Sequence, residues 1–96
     1  MPRIRWSQAA LRDITRLYDF LASQSGEAAT RAVKTIRQGV RILATQPEIG
    51  RPIEDLPFEF REWIIEFGHG AYVVLYRYDG KEVVILTIRH GRESGY

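Results

Sequence analysis

Residues 60–90 read "FREWIIEFGHGAYVVLYRYDGKEVVILTIRH". Three runs of similar length, "FREWIIEFG", "AYVVLYRY" and "EVVILTIRH", carry side chains that change character with a period of two. They are rich in the β-branched and aromatic residues that suit a pleated, half-buried surface. Asp79-Gly80 between the second and third runs is a strong two-residue hairpin signal. "GHG" (68–70) marks a turn between the first and second. The stretch therefore predicts an antiparallel three-stranded sheet. A two-residue Asp79-Gly80 loop pairs Tyr78 with Lys81, Arg77 with Glu82, Leu75 with Val84 and Val73 with Leu86. A loop centred on His69-Gly70 pairs Phe67 with Tyr72, Trp63 with Tyr76 and Glu62 with Arg77. One face then carries Trp63, Ile65, Phe67, Tyr72, Val74, Tyr76, Val83 and Ile85, a floor broad enough for helices. The other carries Glu62, Ile64, Glu66, Val73, Leu75, Arg77, Glu82, Val84, Leu86, Ile88 and His90. On it Arg77 lies between Glu62 and Glu82, an opposite-charge cross-strand trio.

Upstream, "PEIGRPIEDLPFEF" (47–60) holds three of the four prolines and Gly50, and reads as a rigid, irregular connector. Before it the period is helical. Ser7 is an N-cap residue type for a helix over about 8–23, with Leu11, Ile14, Tyr18 and Leu21 on one stripe and Leu17 beside it. "SQSG" (23–26) breaks the pattern. A second helix runs to about Gln46, with Ala29, Val33, Ile36, Val40 and Leu43 on its apolar stripe, and Pro47 cannot continue it. So short a link predicts an antiparallel helical hairpin. Gly39 inside the second helix costs about 1 kcal/mol relative to alanine, which points to close backbone approach there. "RIRW" (3–6) alternates as a short edge strand would. The fold class is α+β, in the order β-α-α-β-β-β, with the helical hairpin packed on one face of a small antiparallel sheet.

Ninety-six residues make a single domain over 1–96. At 45% hydrophobic and 27% charged the chain is globular and not disordered. It has no cysteine, which excludes disulfides and thiolate metal sites. The N-terminus lacks a signal peptide's apolar core, and no run approaches the ~20 apolar residues of a membrane span. A cytoplasmic protein without membrane contact is expected. No zinc-ligand or phosphate-loop spacing occurs, so neither a metal nor a cofactor is expected. Charge is unevenly placed: residues 1–46 carry eight Arg/Lys against three Asp/Glu, and residues 47–66 carry two against six. Twelve of the fourteen cations are arginine, the side chain suited to forked contacts with carboxylate or phosphate. Arg12 and Arg16 on the first helix, and Arg31, Lys34, Arg37 and Arg41 on the second, form a candidate docking surface for an acidic partner.

The combination of "P-x-x-G-R-P" (47–52), "R-E-W" (61–63), "Y-x-x-L-Y-R" (72–77) and "I-R-H-G-R-E" (88–93) resembles the ParE/RelE superfamily of toxins from bacterial type II toxin–antitoxin modules, over essentially the whole chain. That resemblance implies the same fold and two alternative chemistries. RelE- and YoeB-like members are ribosome-dependent mRNA endonucleases, whereas ParE-like members poison DNA gyrase. RelE-like proteins carry a lysine in the connector and an arginine in a "Y-R-L-V-Y" strand. Here the connector has no lysine, and "Y-V-V-L-Y" places apolar Val73 at the arginine's position, where it cannot stabilise charge on a phosphate. The YoeB-like alternative would use Glu54 and His90 as catalytic residues, with Arg92 or Arg89 as the cation and Tyr96 as a C-terminal aromatic. The ParE-like reading makes Arg61, Arg77, Arg89, His90 and Arg92 target-binding candidates on gyrase. For either branch the resemblance implies a cognate, ParD-like antitoxin whose acidic C-terminal segment folds as it binds. Arg12, Arg16, Arg31, Lys34 and Arg41, with Val73, Leu75 and Leu86 on the open sheet face, are the candidates to receive it. A third alternative is a non-toxic interaction module.

Overall fold

The structure, a computed structural model, describes residues 1–91; Arg92, Glu93 and Tyr96 lie outside the described residues. Strand β1 (Arg3–Trp6) leads directly into helix α1 (Gln8–Ala22). Ser7 starts that helix as its residue type allows, with extended backbone and its side chain accepting the Ala10 N–H. Helix α2 (Gly26–Arg41) begins the same way: Ser25 is the cap, and its hydroxyl accepts from Ala28 N–H. The second helix is shorter than its apolar periodicity predicts. It tightens into a single 3-10 turn over Ile42–Ala44, which still buries Leu43. Two-residue strand β2 (Arg51–Pro52) then precedes β3 (Phe60–Phe67), β4 (Gly70–Tyr78) and β5 (Glu82–His90).

The five strands form one sheet in the order β1-β5-β4-β3-β2. All neighbours are antiparallel except β1, which runs parallel to β5. Both hairpin loops are centred one residue away from the predicted positions. The first is Gly68-His69, since Phe67 pairs with Gly70. The second is Gly80-Lys81, since Tyr78 pairs with Val83 and Asp79 N–H reaches Glu82 O. The physical reason is the same in both. The first central residue has positive φ, 60° at Gly68 and 93° at Gly80, and glycine adopts that conformation without steric cost. Moving a loop centre by one residue moves the register by two, so the faces of β3 and β4 are as predicted. The Glu62–Arg77–Glu82 trio is not formed. Arg77 lies opposite Phe60 and Val84, while Glu62 pairs with Arg51 and Glu82 with Arg5.

A bulge corrects the far half of β5. Tyr76 pairs with Ile85 but Leu75 pairs with Thr87, so Leu86 is the extra residue and every later side chain changes face. Ile88 and His90, predicted on the open face, therefore lie on the helix side, and Arg89 lies on the outer side. The core sits between the hairpin and this inner face. Ala10, Leu17, Ala32, Ile36, Val40 and Leu43 meet Ile65, Tyr72, Val74, Tyr76, Val83, Ile85 and Ile88. Helix α1 is rotated from its predicted stripe: Ala10 and Leu17 are buried, whereas Leu11 and Tyr18 are exposed. Small Ala10 can approach the sheet closely, and Leu11 beside it is turned outward. Gly39 has the role its position suggests. A Cβ there would lie 2.6 Å from Ile65 Cδ1, and Trp63 Nε1–H donates to Gly39 O at 3.0 Å. Among the described residues no helix is long and apolar enough to cross a membrane.

Candidate functional site

The connector is an irregular segment tied down by side chains of β3 and β4. The Tyr76 hydroxyl donates to Pro47 O at 2.7 Å and accepts from Gly50 N–H at 2.9 Å. Burial raises the pKa of this phenol above its ordinary 10.0, with the Gly50 hydrogen bond opposing the shift. Arg61 donates to Gly50 O at 2.7 Å and Glu48 O at 3.1 Å, and its guanidinium lies 3.6 Å from the Glu48 carboxylate. Gly50 is the residue that permits this. A Cβ would lie 2.6 Å from the Tyr76 oxygen and 2.7 Å from Glu62 O. The "P-x-x-G-R-P" segment thus folds over Tyr76 and Arg61, and Arg61 binds connector carbonyls with a side chain only 13% exposed.

Beyond Ile85 strand β5 has no β1 partner, and side chains from the start of α1 take over its free edge. Ser7 Oγ–H donates to Leu86 O, Asp13 Oδ2 accepts Ile88 N–H at 2.8 Å, and Arg16 donates to Ile88 O. Arg16 also lies 3.7 Å from Asp13. Sequence reading missed Asp13; an acid three residues before an arginine reads as an ordinary helical ion pair. Past this clamp a cleft of about 710 Å³ opens between α1 and the end of the sheet, lined by Arg16, Leu17, Phe20, Leu21, Phe67, Tyr72 and His90. His90 packs edge-on to Tyr72, ring centres 5.5 Å apart.

Arg12, Arg31, Lys34, Arg37 and Arg41 are all exposed on the helical hairpin. They border shallow grooves rather than one pocket. Arg12 and Arg16 line one along α1 with Leu11, and Arg37 and Arg41 rim another over Ile4, Trp6 and Ile14. The outer sheet face is less open than predicted. Val73 and Val84 are buried, at 6% and 4% exposure. Val73 lies between Ile64 and Arg89, and Val84 beside Arg77 and Arg5, and the aliphatic stem of an arginine can cover apolar surface. Leu75, Leu86, Arg77 and Arg89 are half-buried on or beside this face, and Ile64 is exposed.

The structure does not bring Glu54 and His90 together. Strand β2 ends at Pro52, opposite Arg61, and is three strands from β5, roughly 14 Å at ordinary strand spacing. Along the strands, the Arg61 level and the Ile65–Tyr72–His90 level are four residues apart, about 13 Å more. The two backbones are thus about 19 Å apart at Pro52, and β2 runs away from the His90 level as it approaches Glu54. Arg92, the third member of that set, is outside the described residues. Among the described residues no three His, Cys, Asp or Glu side chains are grouped to hold a metal ion.

Residues 4–95 match the family model described as the ParE toxin of the type II toxin–antitoxin system parDE. The chain is 33% identical over 93 residues to Toxin RelE3 of Caulobacter vibrioides, spanning 97% of this chain and 98% of that one. It is 34% identical over 88 residues to Toxin RelE1 of the same organism, covering 92% and 91%. Among solved structures, a chain of the chromosomal ParDE system from P. aeruginosa superposes with a TM-score of 0.78 at 30% identity, covering 94% of this chain and 96% of that one. With the helical hairpin, the sheet order and the clamped connector in place, this chain belongs to the ParE toxin family of type II toxin–antitoxin systems.

Proposed function

We propose that this toxin acts by inhibiting DNA gyrase, not by cleaving mRNA, and that a cognate antitoxin with an acidic segment neutralises it. The observation that carries the reading is the separation of Glu54 from His90. Cleavage next to a 2′-hydroxyl needs a base on that hydroxyl, cations at the phosphate and an acid for the leaving oxygen, all within hydrogen-bond reach of one site. Glu54 follows β2 at one edge of the sheet and His90 ends β5 three strands away, which argues against their sharing one. Val73 adds to the argument, because the strand position at which RelE-like chains carry an arginine is a buried aliphatic side chain here. The acidic connector would also repel RNA. The antitoxin half of the proposal rests on the exposed arginines of the hairpin, whose forked geometry suits carboxylates, and on the solved relative, which comes from a ParDE system.

Pulse labelling after induction in growing bacteria tests the choice of target. A gyrase inhibitor stops thymidine incorporation before amino-acid incorporation and induces the DNA-damage response. A ribosome-dependent nuclease stops amino-acid incorporation first and leaves cut messages, and that order of events would overturn the proposal.

A further inference from the structure

Phe58 is 77% exposed, and Leu56, two residues earlier, is 46% exposed. Flexible loops often carry such residues without consequence, but this one is fixed. Leu56 N–H donates to Ile53 O and Phe60 N–H to Pro57 O, so two turns flank Pro57. Asp55, inside the first turn, has φ of 67°, a left-handed conformation that residues other than glycine seldom adopt. At the far end Tyr78 N–H donates to Glu59 O at 2.9 Å, tying the loop to β4, and at the near end Tyr76 and Arg61 hold Gly50. An aromatic side chain on a pre-ordered backbone loses little conformational entropy on binding, which is the property of an interface anchor.

The surroundings specify the partner. Beside Phe58 runs a groove of about 290 Å³ lined by Tyr78, Glu48, Glu59, Asp79 and Arg61. Arg61, its one cation among the described residues, already binds the Glu48 carboxylate and two carbonyls. The groove therefore presents carboxylates around an aromatic centre, the reverse of the arginine-rich helical hairpin. We propose that the loop carrying Leu56 and Phe58 is a second protein-docking surface, fitted to a partner with an apolar pocket rimmed by lysine or arginine. The inference rests on the chain acting as a toxin. It assigns this acidic loop to the target and leaves the basic helices to the acidic antitoxin, which the loop would repel.

The test uses full-length Phe58→Ser, Leu56→Ser/Phe58→Ser, Glu59→Lys and Phe58→Trp. Each is read by thermal melting, by growth arrest against inducer dose, and by inhibition of gyrase supercoiling. Leu56 and Phe58 are exposed and Glu59 is half-buried, so melting temperatures should stay within about 4 °C of wild type. Phe58→Ser should raise the dose for half-maximal arrest by at least about tenfold, the double variant by more. Glu59→Lys should weaken arrest severalfold, and Phe58→Trp should retain it. Folded variants that arrest growth like wild type would overturn the proposal. So would a loss of arrest that merely follows a fall in melting temperature, or a wild type that arrests nothing. A wild-type dimer that Phe58→Ser dissolves would overturn it in favour of a second copy as occupant. Wild-type arrest without gyrase inhibition would refute the gyrase target alone, and the arrest dose would still decide the role of the loop.

Discussion

Replacing Tyr76 with phenylalanine keeps the buried ring in the core and removes one oxygen from the connector. That oxygen donates to Pro47 O and accepts from Gly50 N–H. Losing the first bond costs about 1 kcal/mol, and leaving the buried Gly50 N–H unpaired costs a further 1–3 kcal/mol or so. The expected loss is thus about 2–4 kcal/mol. A domain of this size has a total stability on the order of 5–14 kcal/mol, so the fraction removed is large. In a thermal melt followed by circular dichroism the shift should be roughly 10–30 °C. Alkaline pH gives a second signature. The folded pKa of Tyr76 is raised above the unfolded value of 10.0. The stabilisation from the phenol is therefore intact below pH 10 and lost as pH rises through the folded value. Wild type should weaken over that range while Tyr76→Phe does not follow, and the gap between them should close. A variant melting within about 3 °C of wild type at neutral pH would refute the reasoning, because the connector would then not depend on this hydroxyl.

Other substitutions examine the remaining parts. Gly39→Ala should destabilise by about 1–2 kcal/mol in urea unfolding, because overpacking against Ile65 outweighs the gain in helix propensity; combined with Ile65→Ala the two losses should sum to less than their separate values. Asp13→Ala leaves the Ile88 N–H unpaired at the edge of β5 and should cost about 1–3 kcal/mol, with faster amide exchange at Ile88 as the local readout. The Asp79 carboxylate accepts from the backbone N–H groups of Glu82 and Lys81, which hold its pKa below the ordinary 3.8. Its contribution is present above that value and lost as pH falls through the depressed one, so Asp79→Ala should differ from wild type at pH 6 and converge with it in strong acid. Glu54→Gln and His90→Ala should each weaken growth arrest less than tenfold, whereas removing a true general acid or base would cost a hundredfold or more.

Most of the fold was legible because it depends on patterns that survive small errors. The alternation over 60–90 and the Ser7 cap needed no tertiary information. The hairpin loops were misplaced by one residue because Asp-Gly and Gly-His-Gly each offer two centres, and only the positive φ at the first glycine chooses between them. The error left the faces of β3 and β4 unchanged, since register moves in steps of two. The bulge at Leu86 was not legible at all. No glycine marks it, and it alone sends Ile88 and His90 to the helix side. Arg61 illustrates the limit for the site: its residue type suits a ligand and a backbone clamp equally, and only the connector geometry reveals the clamp. Phe58 passed unnoticed because an aromatic in a proline-rich stretch looks like core until its exposure is known.

The measurement that tests the central claim most directly combines the purified chain with DNA gyrase, ATP and supercoiled plasmid. The account predicts dose-dependent loss of supercoiling activity and trapped double-strand breaks, with no need for ribosomes. A folded chain that leaves gyrase unaffected, and that cleaves mRNA when ribosomes are supplied, would contradict it.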